Sequence, residues 1–187
     1  MFIQTEATPN PSTLKFLPGR SVMASGTADF TDAEEATPSP LASRIFAVEG
    51  VEGVFLGPDF ISVAKAEAVD WPHIKPAILG AVMEHFTSGQ PVMEGGERPD
   101  SGHAEHDGPH GAIVAQIKDL LDTRVRPAVA QDGGDITFHG FEEGIVYLSM
   151  RGACAGCPSS TMTLKMGIEN LLRHYIPDVL EVRPVAQ

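Results

Sequence analysis

The chain has 187 residues, with 13 Lys and Arg against 25 Asp and Glu, a formal charge of −12, and 42% apolar content. This is the balance of a globular protein, and it argues against phosphate-backbone contact with nucleic acid or adsorption to an anionic membrane face, both of which need clustered cations. No apolar run approaches the roughly 18–20 residues that cross a bilayer, and two cysteines cannot build a disulfide framework, so a reducing cytosol is the expected compartment.

Residues 2–6 and 13–17 read as strands separated by Pro9-Asn10-Pro11. Ser39-Pro40 is a helix start, with Leu41, Ile45 and Val48 at helical spacing and Gly50 as the stop. Residues 51–56 and 60–65 flank Gly57-Pro58-Asp59 as a hairpin. Trp71, Ile74, Ile78, Val82 and Phe86 mark a second helix, in which Pro76 predicts either a later start or a bend. Residues 89–110 are Gly, Pro, acid and His with few apolar groups. Such a stretch buries too little surface to offset its ordering entropy, which predicts a mobile linker between units at 1–88 and 111–187.

In the second unit, Ile113, Ile117, Leu120, Leu121 and Ala128 trace one face of a helix that Pro127 bends or restarts and Gly133-Gly134 ends. Residues 136–141 and 145–150 are strands joined at Glu142-Glu143-Gly144. Residues 159–176 form a helix with Leu164, Ile168, Leu171, Leu172 and Tyr175 inward, and 179–182 add a final strand. The fold class is α/β in the broad sense (α+β): two small domains, the second an α-β-β-α-β two-layer sandwich.

Both cysteines fall in one loop, Gly152-Ala153-Cys154-Ala155-Gly156-Cys157-Pro158, between a strand and a helix. Two buried small residues are the plain reading, but flanking glycines make a poor core segment. At a helix N-terminus, unpaired N–H groups and the helix dipole favour anionic sulfur. Three uses follow. Dithiol redox chemistry suits C-x-x-C before a helix, although the element order lacks a βαβ context and no aromatic precedes Cys154. Structural zinc needs two more ligands, for which His139 or His174 would have to lie close. An iron–sulfur cluster takes four thiolates, so two chains would share one across a two-fold axis.

The loop, with Ser159-Ser160 after it, resembles the signature of the NifU-like C-terminal domain, as do Val125-Arg126-Pro127 and Gln131-Asp132-Gly133-Gly134-Asp135. Thr8-Pro9-Asn10-Pro11, Leu14-Lys15-Phe16-Leu17-Pro18-Gly19 and Asp70-Trp71 resemble the other domain of Nfu-type scaffold proteins. The resemblance implies a non-enzymatic carrier that holds a labile [4Fe–4S] cluster, with [2Fe–2S] as the other type, between two protomers through Cys154 and Cys157. It implies as partners apo iron–sulfur clients, upstream assembly proteins and a second copy of the chain, the N-terminal domain serving contact. The nearness of Met1 to the first domain suggests a bacterial cytoplasmic form.

Other chemistry-bearing residues read as structural. Asp132 and Asp135 flank Gly133-Gly134 as turn residues, and Glu142-Glu143 occupy a hairpin turn. Met150, Met162 and Met166 read as packing. Arg151 either favours the thiolate or is an exposed strand-end cation. His103, His106 and His110 read as solvated linker residues.

Overall fold

The computed structural model describes residues 1–95, 103, 108–155 and 158–185. These fall in two compact α+β units, Met1–Asp100 and Ser101–Gln187.

The first unit is a five-stranded antiparallel sheet of β1 (Gln4–Ala7), β2 (Thr13–Leu17), β3 (Ala28–Phe30), β4 (Val51–Leu56) and β5 (Ile61–Lys65), in the order β1-β2-β5-β4-β3. Alternation sets the register: Val54 faces Val63 and Leu56 faces Ile61, putting all four in one buried layer with Phe16. Helices α1 (Pro40–Phe46) and α2 (Trp71–Ser88) add Leu41, Ile45, Ile74, Ile78 and Val82 to that layer. Ser39 caps α1 by accepting the Ala42 N–H at 3.1 Å. Pro76 neither delays nor splits α2, which runs from Trp71 to Ser88 and is capped by Gly89, whose φ is +72°. Short β3, which has no alternating run, enters through Phe30 opposite Val54.

Part of the segment read as linker is held on this unit. Ser39 donates its hydroxyl to the Val92 carbonyl at 2.7 Å, the Glu94 N–H donates to the Pro38 carbonyl at 2.7 Å, and Val92 and Met93 pack on the core.

The second unit opens with α3 (Gly111–Leu120), one wide π turn over Leu121–Val125, and α4 (Arg126–Gln131). Pro127 restarts the helix, as expected, because a proline is tolerated in a first turn where no helical N–H partner is needed. Gly133, at φ +81°, stops it, whereas Gly134 is the first residue of a strand. That strand, β6 (Gly134–Glu142), pairs antiparallel with β7 (Ile145–Gly152) through a turn in which Glu143 and Gly144 both take positive φ. After α5 (Pro158–Tyr175), β8 (Glu181–Val185) pairs with β7 in parallel, giving the order β6-β7-β8. One core joins Ile117, Leu121 and Val129 to Ile136, Phe138, Val146 and Leu148 of the sheet and to Ile168 and Leu172 of α5. Tyr175, expected inward, is 47% exposed; it lies under the Arg124 guanidinium at 5.1 Å.

Candidate metal centre

The cysteine loop grows out of the end of the β6–β7 ladder. Gly134 pairs with Gly152, the last residue of β7, and Gly152 turns the chain at φ +63°. The loop then folds back onto the sheet. The Ala153 N–H donates to the Gly133 carbonyl at 3.1 Å, and the Ala155 N–H to the Gly152 carbonyl at 3.1 Å. Thr161, in the first turns of α5, donates its hydroxyl to the Cys154 carbonyl at 3.1 Å. Cys154 therefore sits in a notch, 7% exposed and continuous with the domain core. The notch exists because residue 134 has no side chain: a Cβ there would lie 2.4 Å from the Cys154 Sγ and 2.9 Å from the Arg151 carbonyl oxygen. Cys157, the other expected ligand, and Gly156 lie outside the described residues.

Burial pushes the Cys154 thiol up to about 12, and the carboxylates of Asp132 and Asp135 add to the effect. The expectation of a resting thiolate is corrected for this residue: low local polarity and two acids outweigh the helix terminus. Asp135 is no turn residue. It is buried in β6, and Arg126 forks onto it, Nε to Oδ1 at 2.8 Å and Nη2 to Oδ2 at 2.8 Å. Arg126 also donates to Asp122 at 3.0 Å. This ion pair links the first turn of α4 to the strand bearing Gly134, and sequence reasoning missed it. The signal was present, a cation and an acid nine positions apart on either side of Gly-Gly, but it has no helical or strand period.

The other expectations separate cleanly. His139 is exposed, five residues along β6 from Gly134 and so about 16 Å away along the strand. His174 is near the far end of an 18-residue helix, about 25 Å from its start. Neither can share a metal with Cys154, which removes the zinc set weighed from sequence. Among the described residues no group of three His, Cys, Asp or Glu is gathered to hold a metal ion. Met150 is buried as expected, but Met162 and Met166 are 65% and 60% exposed on α5 and are not packing residues. Of the linker histidines, His110 stacks edge-on against Phe141, His103 is half-buried with its ring turned inward, and His106 lies outside the described residues. Contrary to the expectation from element order, a βαβ context is present, because β7 and β8 are parallel and α5 connects them. What weighs against a thioredoxin-like use is the buried, protonated Cys154, since an attacking thiol of that kind needs a lowered proton affinity.

The chain thus has two α+β units, the second of which carries its C-x-x-C sequence between the second strand of the sheet and the long helix. Residues 3–89 match the family "Scaffold protein Nfu/NifU N terminal" and residues 117–183 match the "NifU-like domain". Over 99% of the chain, 50% of residues are identical to "NFU1 iron-sulfur cluster scaffold homolog, mitochondrial" of Homo sapiens, covering 72% of that protein. Over 96% of the chain, 51% are identical to "NifU-like protein 4, mitochondrial" of Arabidopsis thaliana, covering 64% of it. The chain belongs to the Nfu/NifU scaffold family.

The chain spans about two thirds of the length of the curated relatives it matches. These relatives are mitochondrial proteins of plants, human and flies, which overturns the expectation of a bacterial cytoplasmic form. That expectation rested on the distance from Met1 to the first domain, and where a chain begins carries no information about compartment. Among the described residues no helix is long and apolar enough to cross a membrane.

Proposed function

We propose that this chain is a carrier rather than an enzyme: two copies hold one [4Fe–4S] cluster through Cys154 and Cys157 of each and pass it to apo iron–sulfur proteins. The single observation that carries the reading is the donor count. Each chain has two cysteines, both in one loop, and a cluster takes four thiolates. The names of the relatives, iron–sulfur cluster scaffolds, support it.

Release follows from the same arrangement. An incoming client thiolate replaces one protein sulfur on iron while the other sulfurs still hold the cluster. The displaced Cys154 sulfur takes up a proton, a state its buried site favours. Residues 1–88 serve contact with clients and with upstream assembly proteins, and residues 89–110 tether the cluster-binding domain, residues 111–187, near a docked client at raised effective concentration.

Anaerobic reconstitution followed by iron and sulfide analysis and sedimentation tests the reading. The expected product is a brown dimer with about four irons and four sulfides per two chains, lost in Cys154→Ser and in Cys157→Ser. A cluster on a strict monomer with no added thiol overturns it. So does a colourless monomer that cycles a Cys154–Cys157 disulfide. Removal of residues 1–88 should slow delivery to whole clients and leave loading intact.

A further inference from the structure

A network of ionisable groups in the second unit starts in the segment whose composition predicts a solvated tether. The His103 imidazole is 6% exposed. Its Nδ1 accepts the Phe138 N–H at 2.8 Å, and its Nε2 lies 2.9 Å from Asp122 Oδ1. The donor on Phe138 leaves Nδ1 no place for a proton, so the neutral ring carries its proton on Nε2 and donates it to Asp122.

Phe138 belongs to β6, an edge strand of the sheet. Two residues earlier, and so on the same outward side, the Ile136 N–H goes to Asp135 Oδ1 at 2.8 Å. Both outward donors are thus capped by one network, which runs from His103 to Asp122, from Asp122 to Arg126, and from Arg126 to Asp135. Its far end lies beside the Gly134–Gly152 pair onto which the Cys154 loop folds.

Two carboxylates compete for the single guanidinium of Arg126. Asp135 takes a bidentate fork at 2.8 Å and Asp122 a single bond at 3.0 Å. The His103 N–H gives Asp122 a second donor, which lowers its demand on Arg126. We infer that His103 is a positioning residue of the cluster site: by gripping Asp122 and the Phe138 N–H it holds Arg126 on Asp135 and fixes the β6 edge against which the Cys154 loop rests. The inference rests on the proposed function for its consequence, but its geometry can be tested without any cluster.

The test uses the full chain, with His103→Ala and His103→Gln, whose amide offers an adjacent acceptor and donor. In the apo protein, solvent exchange of the Arg126 Nε–H, followed by NMR, should accelerate at least tenfold in His103→Ala and stay near the parent rate in His103→Gln. In the loaded protein, bleaching of the cluster by an iron chelator should be roughly three- to tenfold faster in His103→Ala, the net worth of about one ordinary hydrogen bond, and His103→Gln should rescue it. In an Asp122→Asn background, His103→Ala should add little. Unchanged Arg126 exchange overturns the inference, as does faster exchange with unchanged bleaching, or an effect of His103→Ala that adds in full to that of Asp122→Asn. If the parent binds no iron and sulfide, the proposed function fails, while the Arg126 exchange still reports on the grip of His103.

Discussion

Gly134 and Cys154, twenty positions apart, occupy one volume: the sulfur fills the space that a side chain at 134 would take, 2.4 Å from where its Cβ would lie. The near neighbours include backbone, the Arg151 carbonyl oxygen and the Cys154 nitrogen, so a flexible side chain cannot simply swing away. Gly134→Ala should push the loop off the sheet. The expected cost is about 1–3 kcal/mol, that of an overpacked site, read by chemical denaturation of the apo chain, together with loss of iron loading. An unchanged midpoint would mean that the loop yields freely.

The fork of Arg126 on Asp135 joins α4 to the strand beneath the cysteine loop. Asp135 is 4% exposed, so Arg126→Met strips a buried carboxylate of its main cation and should cost about 3 kcal/mol or more. Removing both charges, as Arg126→Met with Asp135→Asn, should cost less than the single change, because no uncompensated charge is left behind. A denaturant-based double-mutant cycle checks this, and purely additive costs would show that the pair is not coupled.

In the first unit, His85 on α2 is fully buried, and neither ring nitrogen has a hydrogen-bond partner among the described residues. Burial, reinforced by the cations Arg44 and Arg20, holds its proton affinity below the ordinary value of 6.5. The folded unit therefore keeps a neutral ring while the unfolded chain takes up a proton. Stability is full above about 6.5 and falls as the pH drops below it, towards the lowered folded value. His85→Leu should abolish that acid-side slope and stabilise the unit at neutral pH by about 1–2 kcal/mol, since an unsatisfied buried polar group is removed. Melting of the variant and parent between pH 5 and about 7.5 decides it.

These sites show why some of the molecule was legible in the sequence and some was not. Local rules carried the elements. Ser39-Pro40 starts α1, Pro127 restarts the second helix, and Glu143-Gly144 makes the hairpin turn, because capping and turn chemistry act over a few residues. Strand direction is not local. Nothing in the period of residues 181–185 says that β8 runs parallel to β7, so the βαβ unit around the cysteine loop went unread. Contacts such as Gly134 with Cys154, or His103 with Phe138, join segments far apart in sequence and leave no periodic trace. Composition misled at His103, because a polar stretch can still place one side chain in a pocket. The thiolate expectation for Cys154 failed for a related reason: motif position gives the helix terminus, whereas burial depends on the fold.

Cys154 gives a prediction with a definite sign. In the unfolded chain its thiol has the ordinary value of 9.0, and in the folded domain it is pushed up to about 12 by burial and by Asp132 and Asp135. Between those values the folded state holds a proton that the unfolded state has lost, so this thiol's contribution to stability is intact below about pH 9 and declines as the pH rises towards 12. At pH 8 the thiolate fraction is smaller than that of an ordinary cysteine by roughly a hundred- to a thousandfold. In a Cys157→Ser chain free of metal, alkylation of Cys154 by iodoacetamide at pH 8 should be slower than that of glutathione by at least that factor, and Asp132→Asn should speed it. Under the proposed ligand role of Cys154, binding iron releases this proton, so loading should strengthen with rising pH and acidify a weakly buffered solution. Rapid alkylation at pH 8 in the folded chain would show that the notch does not shelter the sulfur.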